Sequence, residues 1–152
     1  MSTVHLAKRV LPGMVSRGKG RVLVTSSVAA TAPGPFEATY AASKAFLQSF
    51  GQALRSELTD TGVSVTVLMP GPTDTNFFER AGLQGTRIGA SERKDAPSVV
   101  AQQGYEALMK REDHVVAGSF RNRAMVASAR VMSEPARAAM HRKQSEPGSA
   151  RH

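Results

Sequence analysis

The sequence predicts an α/β fold in which about three parallel strands are flanked by helices. Two apolar runs, residues 22–24 and 63–69, are rich in β-branched side chains and end at turn-forming residues, as strands do. Between them, residues 38–59 repeat apolar side chains at helical spacing. A strand, a helix and a second strand in this order predict a right-handed parallel crossover. A length of 152 residues allows one such domain.

The remaining elements follow from the same two periodicities and from Gly and Pro punctuation. Asp95 is expected to cap a helix that has Pro97 in its first turn, and Pro135 is expected to interrupt the last helical stretch. The predicted helices are 3–17, 38–59, 76–81, 95–110 and 120–133, and the predicted strands are 21–27, 63–69 and 114–117. Long loops are predicted for 29–37 and 73–95, and a disordered tail for 144–152.

Ser27, Tyr40 and Lys44 are the candidate catalytic residues. Tyr40 and Lys44 are four positions apart and share one helix face, while Ser27 follows the first strand. A free phenol has a pKa of about 10, and a neighbouring ammonium group would lower that pKa. Tyr-x-x-x-Lys pairs by themselves are mostly surface neighbours, so the hypothesis depends on all three residues together. They suit proton exchange with an alcohol or a carbonyl oxygen.

The same residues resemble the short-chain dehydrogenase/reductase family. Residues 22–27 resemble its catalytic-serine strand, 40–44 its Tyr-x-x-x-Lys motif, and 70–75 its Pro-Gly-x-x-x-Thr segment, in the family's order and spacing. The resemblance implies the C-terminal half of a doubly wound, Rossmann-like parallel sheet. It also implies an oxidoreductase that uses NAD or NADP to interconvert small alcohols and carbonyl compounds.

The resemblance assigns a role to each matching position. Tyr40 would be the general acid/base, Lys44 would lower its pKa and bind the nicotinamide ribose, and Ser27 would orient the substrate oxygen. Cofactor contacts are implied for Tyr40, Lys44, Pro70, Gly71, Thr73 and Thr75. Residues 76–93 would form the substrate loop, where Phe77 and Phe78 are candidate walls of an apolar pocket. The helix at 38–59 would pair with that of a second copy in a homo-oligomer.

The family's glycine-rich cofactor loop, Thr-Gly-x-x-x-Gly-x-Gly, does not occur in these 152 residues. We therefore expect a truncated domain over 1–118, a basic helical extension over 119–143 and a disordered tail over 144–152. Such a chain is expected to bind cofactor poorly and to have impaired activity. If so, a non-catalytic interaction fragment is the alternative function.

Charge and composition leave one further alternative open. The net charge is +8, and much of the excess of basic over acidic residues lies in 121–152, which would also suit binding of a nucleic acid or a membrane surface through 119–143. No aromatic side chains are interleaved with that basic stretch, so specific nucleic-acid binding is not expected. The sequence has no cysteine and no metal-ligand spacing among its four histidines. Without a signal peptide or an apolar run long enough for a membrane span, a cytoplasmic protein is expected.

Overall fold

The computed structural model describes residues 2–151, and it alternates helices and strands as an α/β fold does. Their bounds are α1 Thr3–Ser16, β1 Gly20–Thr25, a 3-10 helix Val28–Thr31, α2 Ala38–Glu57, β2 Val63–Pro70, α3 Phe77–Arg80, α4 Arg87–Ala90, α5 Pro97–Met109, β3 His114–Ala117, α6 Phe120–Ala129, α7 Glu134–Ser145, and a 3-10 helix Ser149–Arg151.

The three strands form one parallel sheet in the order β1-β2-β3. β2 lies in the centre, and every residue of it from Val63 to Met69 is buried. β1 is an edge strand, so its Val22 and Leu23 are only half-buried while Val24 is buried. The predicted α/β fold with three parallel strands and flanking helices is confirmed.

α2 packs on the sheet through a glycine. A Cβ atom at Gly51 would lie 2.6 Å from Cγ2 of Val67, so the helix can approach β2 this closely only without a side chain there. Ala41, near the other end of the helix, is also buried, and it lies close to Gly34 of the preceding loop.

α5 covers the same sheet and encloses a small apolar core. Leu68, Val100 and Ala117 are buried together, and the half-buried Leu23 and Val115 pack against them. This core joins all three strands to α5, and it fixes the ends of the strands at which the candidate residues lie.

Two helix boundaries differ from the sequence-based prediction. Asp95 does not cap α5, because the N-cap of this helix is Ala96, which makes no side-chain cap bond. The Asp95 carboxylate instead accepts a hydrogen bond at 2.9 Å from the backbone N–H of Ser119, the N-cap of α6. Pro135 does not end a helix either. It occupies the first turn of α7, where a missing N–H costs no intrahelical bond.

The loop at 73–95 and the tail at 144–152 are more structured than predicted. The loop contains α3, which was expected, and α4, which was not. The tail is not disordered in the described residues: α7 continues to Ser145, and the backbone N–H groups of Gly148 and Ala150 donate to the carbonyl of Gly85. Tail and loop order each other, and a contact between segments so far apart leaves no local signal in the sequence. The proposed domain boundaries at 118 and 143 stay predictions.

Within residues 2–151, no helix combines the length and apolar character that a membrane crossing requires.

Candidate active site

The candidate site lies where the carboxyl end of β1 meets the first two turns of α2. Two hydrogen bonds fasten the helix there: Ser26 donates its hydroxyl to the carbonyl of Lys44 at 2.7 Å, and Lys44 Nζ donates to the carbonyl of Thr25 at 3.1 Å. Ser26 is nearly fully buried. The carboxyl ends of parallel strands are where open α/β sheets bind ligands.

Ser27 is held at the turn that follows β1. Its hydroxyl oxygen accepts a hydrogen bond from the N–H of Ala29 at 3.1 Å, which caps the 3-10 helix, and it donates to the carbonyl of Pro70 at 3.5 Å. The side chain is buried and lies close enough to Tyr40 to lower the pKa of its phenol. The structure therefore brings together the serine and the tyrosine that the sequence places thirteen positions apart.

Tyr40 is half-buried in the first turn of α2, and its ring lies 5.2 Å, centroid to centroid, from that of Phe77. Burial raises the pKa of Tyr40, the hydrogen bond with Ser27 opposes that rise, and the negative charge of Glu37 adds to it. Together these effects raise the pKa of Tyr40. The side chain therefore carries its proton at neutral pH.

Lys44 lies beside the tyrosine ring rather than acting as its dominant electrostatic neighbour. Its Nζ is 5.7 Å from the ring centroid and is occupied with the carbonyl of Thr25. Burial lowers the pKa of Lys44. The expected lowering of the Tyr40 pKa by this ammonium group stays a prediction; in the structure, burial of the phenol has the largest effect on that pKa and raises it.

The segment after β2 runs past the same corner. Pro70 ends the strand beside Ser27, and the Thr73 hydroxyl donates to the carbonyl of Gly71 at 2.9 Å. Thr75 Oγ1 accepts from the N–H of Phe77 at 3.3 Å and so leads into α3. Four of the six candidate cofactor residues thus lie along one backbone stretch next to Tyr40 and Lys44.

A buried polar contact fixes this stretch, and sequence analysis missed it. Asn122 of α6 is buried, and its Nδ2 donates to Asp95 Oδ2 at 2.8 Å and to the Ala117 carbonyl at 2.9 Å. A Cβ atom at Gly71 would lie 2.2 Å from Asn122 Nδ2. Asp95 also holds the segment through its backbone, which pairs with Pro72 and Asp74. The only hint in the sequence is the glycine, since its neighbours are distant along the chain.

Two open clefts differ in their relation to these residues. One of about 510 Å³ is lined by Thr75, Asn76, Phe77 and Arg80, and Phe77 joins it to the tyrosine ring. The larger, about 680 Å³, lies at the opposite end of the strands, and Arg55, Asp60 and Asp113 are among its lining residues. The smaller cleft is the one that adjoins the candidate catalytic groups. Phe78 does not line it but is buried under Lys94, whose Nζ is 4.8 Å from the Phe78 ring centroid.

No group of three or more potential metal ligands occurs among residues 2–151.

Comparison with known proteins identifies the family to which this geometry corresponds. The family model described as short chain dehydrogenase matches residues 1–84. Dehydrogenase/reductase SDR family member 7B from Rattus norvegicus is 36% identical over 122 residues, and the match covers 77% of this chain and 38% of that protein. Uncharacterized oxidoreductase YbbO from Escherichia coli K12 is 43% identical over 112 residues, covering 72% and 40%. The chain thus spans about two fifths of the length of these relatives.

Solved structures agree. A short-chain dehydrogenase from Sphingobium yanoikuyae in complex with NADPH superposes with a TM-score of 0.68 at 26% identity, covering 74% of this chain and 43% of that one. A 3-oxoacyl-[acyl-carrier protein] reductase from Brucella melitensis with bound NAD superposes with a TM-score of 0.57 at 26% identity, covering 78% and 47%.

Proposed function

The chain belongs to the short-chain dehydrogenase/reductase family, and from that premise we propose that it carries the catalytic half of an oxidoreductase that interconverts alcohols and carbonyl compounds with NAD or NADP. One observation carries the proposal. Ser27 lies close enough to Tyr40 at the carboxyl end of β1 to lower the pKa of its phenol, and the Lys44 ammonium group lies 5.7 Å from the tyrosine ring centroid.

Tyr40 is the proposed general acid/base. In carbonyl reduction its phenol donates the proton that the substrate oxygen needs as the carbonyl becomes an alcohol. Near neutral pH the phenol carries the proton that this direction requires, since its pKa is not lowered. Ser27 is proposed to hold the same substrate oxygen, since its buried hydroxyl lies beside Tyr40 and affects the pKa of the phenol.

A nicotinamide cofactor would supply or accept the hydride. The residues present suit its nicotinamide end: Lys44 offers an ammonium donor, and the backbone of 70–75 passes the open cleft at Thr75. We propose Tyr40, Lys44, Pro70, Gly71, Thr73 and Thr75 as its contacts. The bound NADPH and NAD of the Sphingobium and Brucella structures support either cofactor.

The substrate is proposed to be a small carbonyl compound or alcohol with an apolar body. Phe77 supports this, because its ring is 38% exposed between Tyr40 and the cleft. Residues 76–93, which contain α3 and α4, are the proposed substrate loop. The exposed Phe46 on α2 is available for the predicted pairing with a second copy, and that pairing and a cytoplasmic location stay predictions.

The alternative of a nucleic-acid or membrane-surface binder receives less support. Arg137 and Arg142, two of the basic residues in 119–143, are used inside the chain: Arg137 donates to the carbonyl of Thr31, and Arg142 stacks over the ring of Phe36. Cations engaged in this way are less available to phosphates. The alternative of a non-catalytic fragment predicts that no ketone supports oxidation of NAD(P)H.

Replacement of Tyr40 tests the proposed function. In the native protein that contains these residues, Tyr40→Phe removes only the hydroxyl and should lower the rate of NAD(P)H oxidation with an apolar ketone by about 100-fold or more. Tyr105→Phe is the matched control, because Tyr105 is 58% exposed on α5 and lies outside the site. Equal rates for both variants would refute the role of Tyr40. Absence of oxidation with every ketone and either cofactor would favour the non-catalytic alternative.

A further inference from the structure

α7 packs across the segment that joins Ser27 to Tyr40. Arg137 Nη1 donates to the carbonyl of Thr31, and the guanidinium carbon of Arg142 lies 5.3 Å from the ring centroid of Phe36. The third contact, between Glu37 and two residues of α7, is the most buried. All three contacts join side chains of α7 to the loop at 28–37.

The third contact is a cluster of Glu37, His141 and Ser145, here called the clasp. Ser145 Oγ donates to Glu37 Oε2 at 3.3 Å, His141 Nε2 lies 3.4 Å from the same oxygen, and His141 Nδ1 lies 3.4 Å from Ser145 Oγ. Ser145 is fully buried, and the Glu37 and His141 side chains are 10% and 13% exposed. Polar groups this far from water depend on each other for hydrogen bonds.

The clasp is a fastening and not a second catalytic centre. A serine, a histidine and a glutamate in contact are also found in hydrolases, where the serine must reach the substrate. Here the Ser145 hydroxyl is fully buried and donates directly to the carboxylate. No substrate can reach that hydroxyl, so the cluster serves the position of Glu37.

The loop needs such a fastening for two reasons. Phe36 has a φ of +67°, a left-handed conformation that is strained for a bulky side chain and persists only where the surroundings hold it. Glu37 occupies the N-cap of α2 but makes no side-chain cap bond there. Its carboxylate instead contacts Ser145 and His141 of α7, one turn before Tyr40.

We propose that α7 is a positioning strap: through the clasp and its contacts with Thr31 and Phe36, it fixes the loop that sets Tyr40 against Ser27. Glu37, His141 and Ser145 are positioning residues, and none touches the reacting atoms. The proposal rests on the proposed function, because Tyr40 matters as the acid/base, but its test requires neither cofactor nor turnover.

The test uses the tyrosine itself as the reporter. The chain has two tyrosines and no tryptophan, so in a Tyr105→Phe background the ultraviolet absorbance of phenolate reports Tyr40 alone. That parent should titrate above the ordinary value of 10.0 because of its burial. In the same background, His141→Ala should loosen the loop, admit water to the phenol and bring its pKa down towards 10.0. Amide hydrogen exchange across 28–37 should accelerate as well.

Two further variants separate positioning from general stability. His141→Gln keeps a donor for Glu37 and should restore both the titration and the exchange protection, whereas His141→Leu fills a similar volume without a donor and should restore neither. Lys143→Ala, an exposed change on the same helix, should behave as the parent. If His141→Ala unfolds by circular dichroism, Ser145→Ala, which removes one hydroxyl, takes its place. Parent-like titration and exchange in the folded clasp variant would overturn the proposal, whatever the outcome of the ketone assay.

Discussion

The surroundings of Tyr40 favour its protonated form. Burial and the Glu37 carboxylate both disfavour the phenolate, and the hydrogen bond with Ser27 offsets only part of this. A group whose pKa is raised keeps its proton over a wider pH range. At neutral pH the side chain is thus the protonated phenol, and the phenolate forms only in alkaline solution or when further positive charge is brought close to it.

The pH dependence of the two reaction directions should therefore differ. Alcohol oxidation requires the phenolate, so its kcat/KM in the native protein should climb about tenfold per pH unit up to the raised pKa of Tyr40, which lies above 10.0. Carbonyl reduction requires the phenol and should not depend on Tyr40 below that pKa. Parallel pH profiles in both directions measure this. An oxidation rate that levels off near pH 7 would contradict it and would imply that bound cofactor overrides the surroundings described here.

Among the elements, α2 packs closely on β2 at a glycine. The helix meets the strand at Gly51, where a Cβ atom would lie 2.6 Å from the branched side chain of buried Val67. A core valine cannot turn aside as a flexible surface side chain can, so either the helix or the strand would have to move. Because α2 carries both Tyr40 and Lys44, such a shift would also disturb the site.

Gly51→Ala should accordingly lower the free energy of unfolding by about 1–3 kcal/mol through overpacking. Gly13→Ala in α1 is the matched control. It is also a helical glycine, but its nearest atom is the guanidinium end of exposed Arg17 at 3.2 Å, so alanine should raise stability by about 0.5–1 kcal/mol through helix propensity. Urea denaturation of the three proteins checks the opposite signs. Stabilisation by both changes would show that the α2–β2 contact is looser than described.

The elements that the sequence predicted well have local signals. β2 is a continuous apolar run that ends at Pro70, and Ser2 caps α1 by accepting from the N–H of His5. The proximity of Tyr40 and Ser27 could be predicted because the sequence shows both where β1 ends and where α2 begins. Asp95, Asn122 and the clasp could not be found in this way. The Ser145–Glu37 contact joins residues 108 positions apart, and neither periodicity nor capping rules reach that far.

In the whole molecule, the edge of the sheet formed by β1 is open. β1 forms an edge with half-buried Val22 and Leu23, and α1 beside it leaves Leu6 and Val10 exposed by 47% and 37%. Apolar faces of this kind usually pack against further structure. In agreement, the chain spans about two fifths of the length of its curated relatives. The contacts proposed for these residues are those of the nicotinamide side of a cofactor site, and the sequence contains no Thr-Gly-x-x-x-Gly-x-Gly turn for the pyrophosphate.

The 152-residue chain should therefore bind NADPH only weakly, with a Kd of about 1 mM or above, because the dinucleotide would meet Lys44 and the 70–75 segment but no phosphate cradle. Titration of NADPH fluorescence measures this, and the Sphingobium dehydrogenase that was solved with NADPH is the positive control. Lys44→Ala should remove whatever binding remains, since it deletes the proposed ribose donor. Saturable micromolar binding by the isolated chain would contradict the expectation. It would mean that the open face of the sheet, or a second copy of the chain across it, supplies the missing contacts.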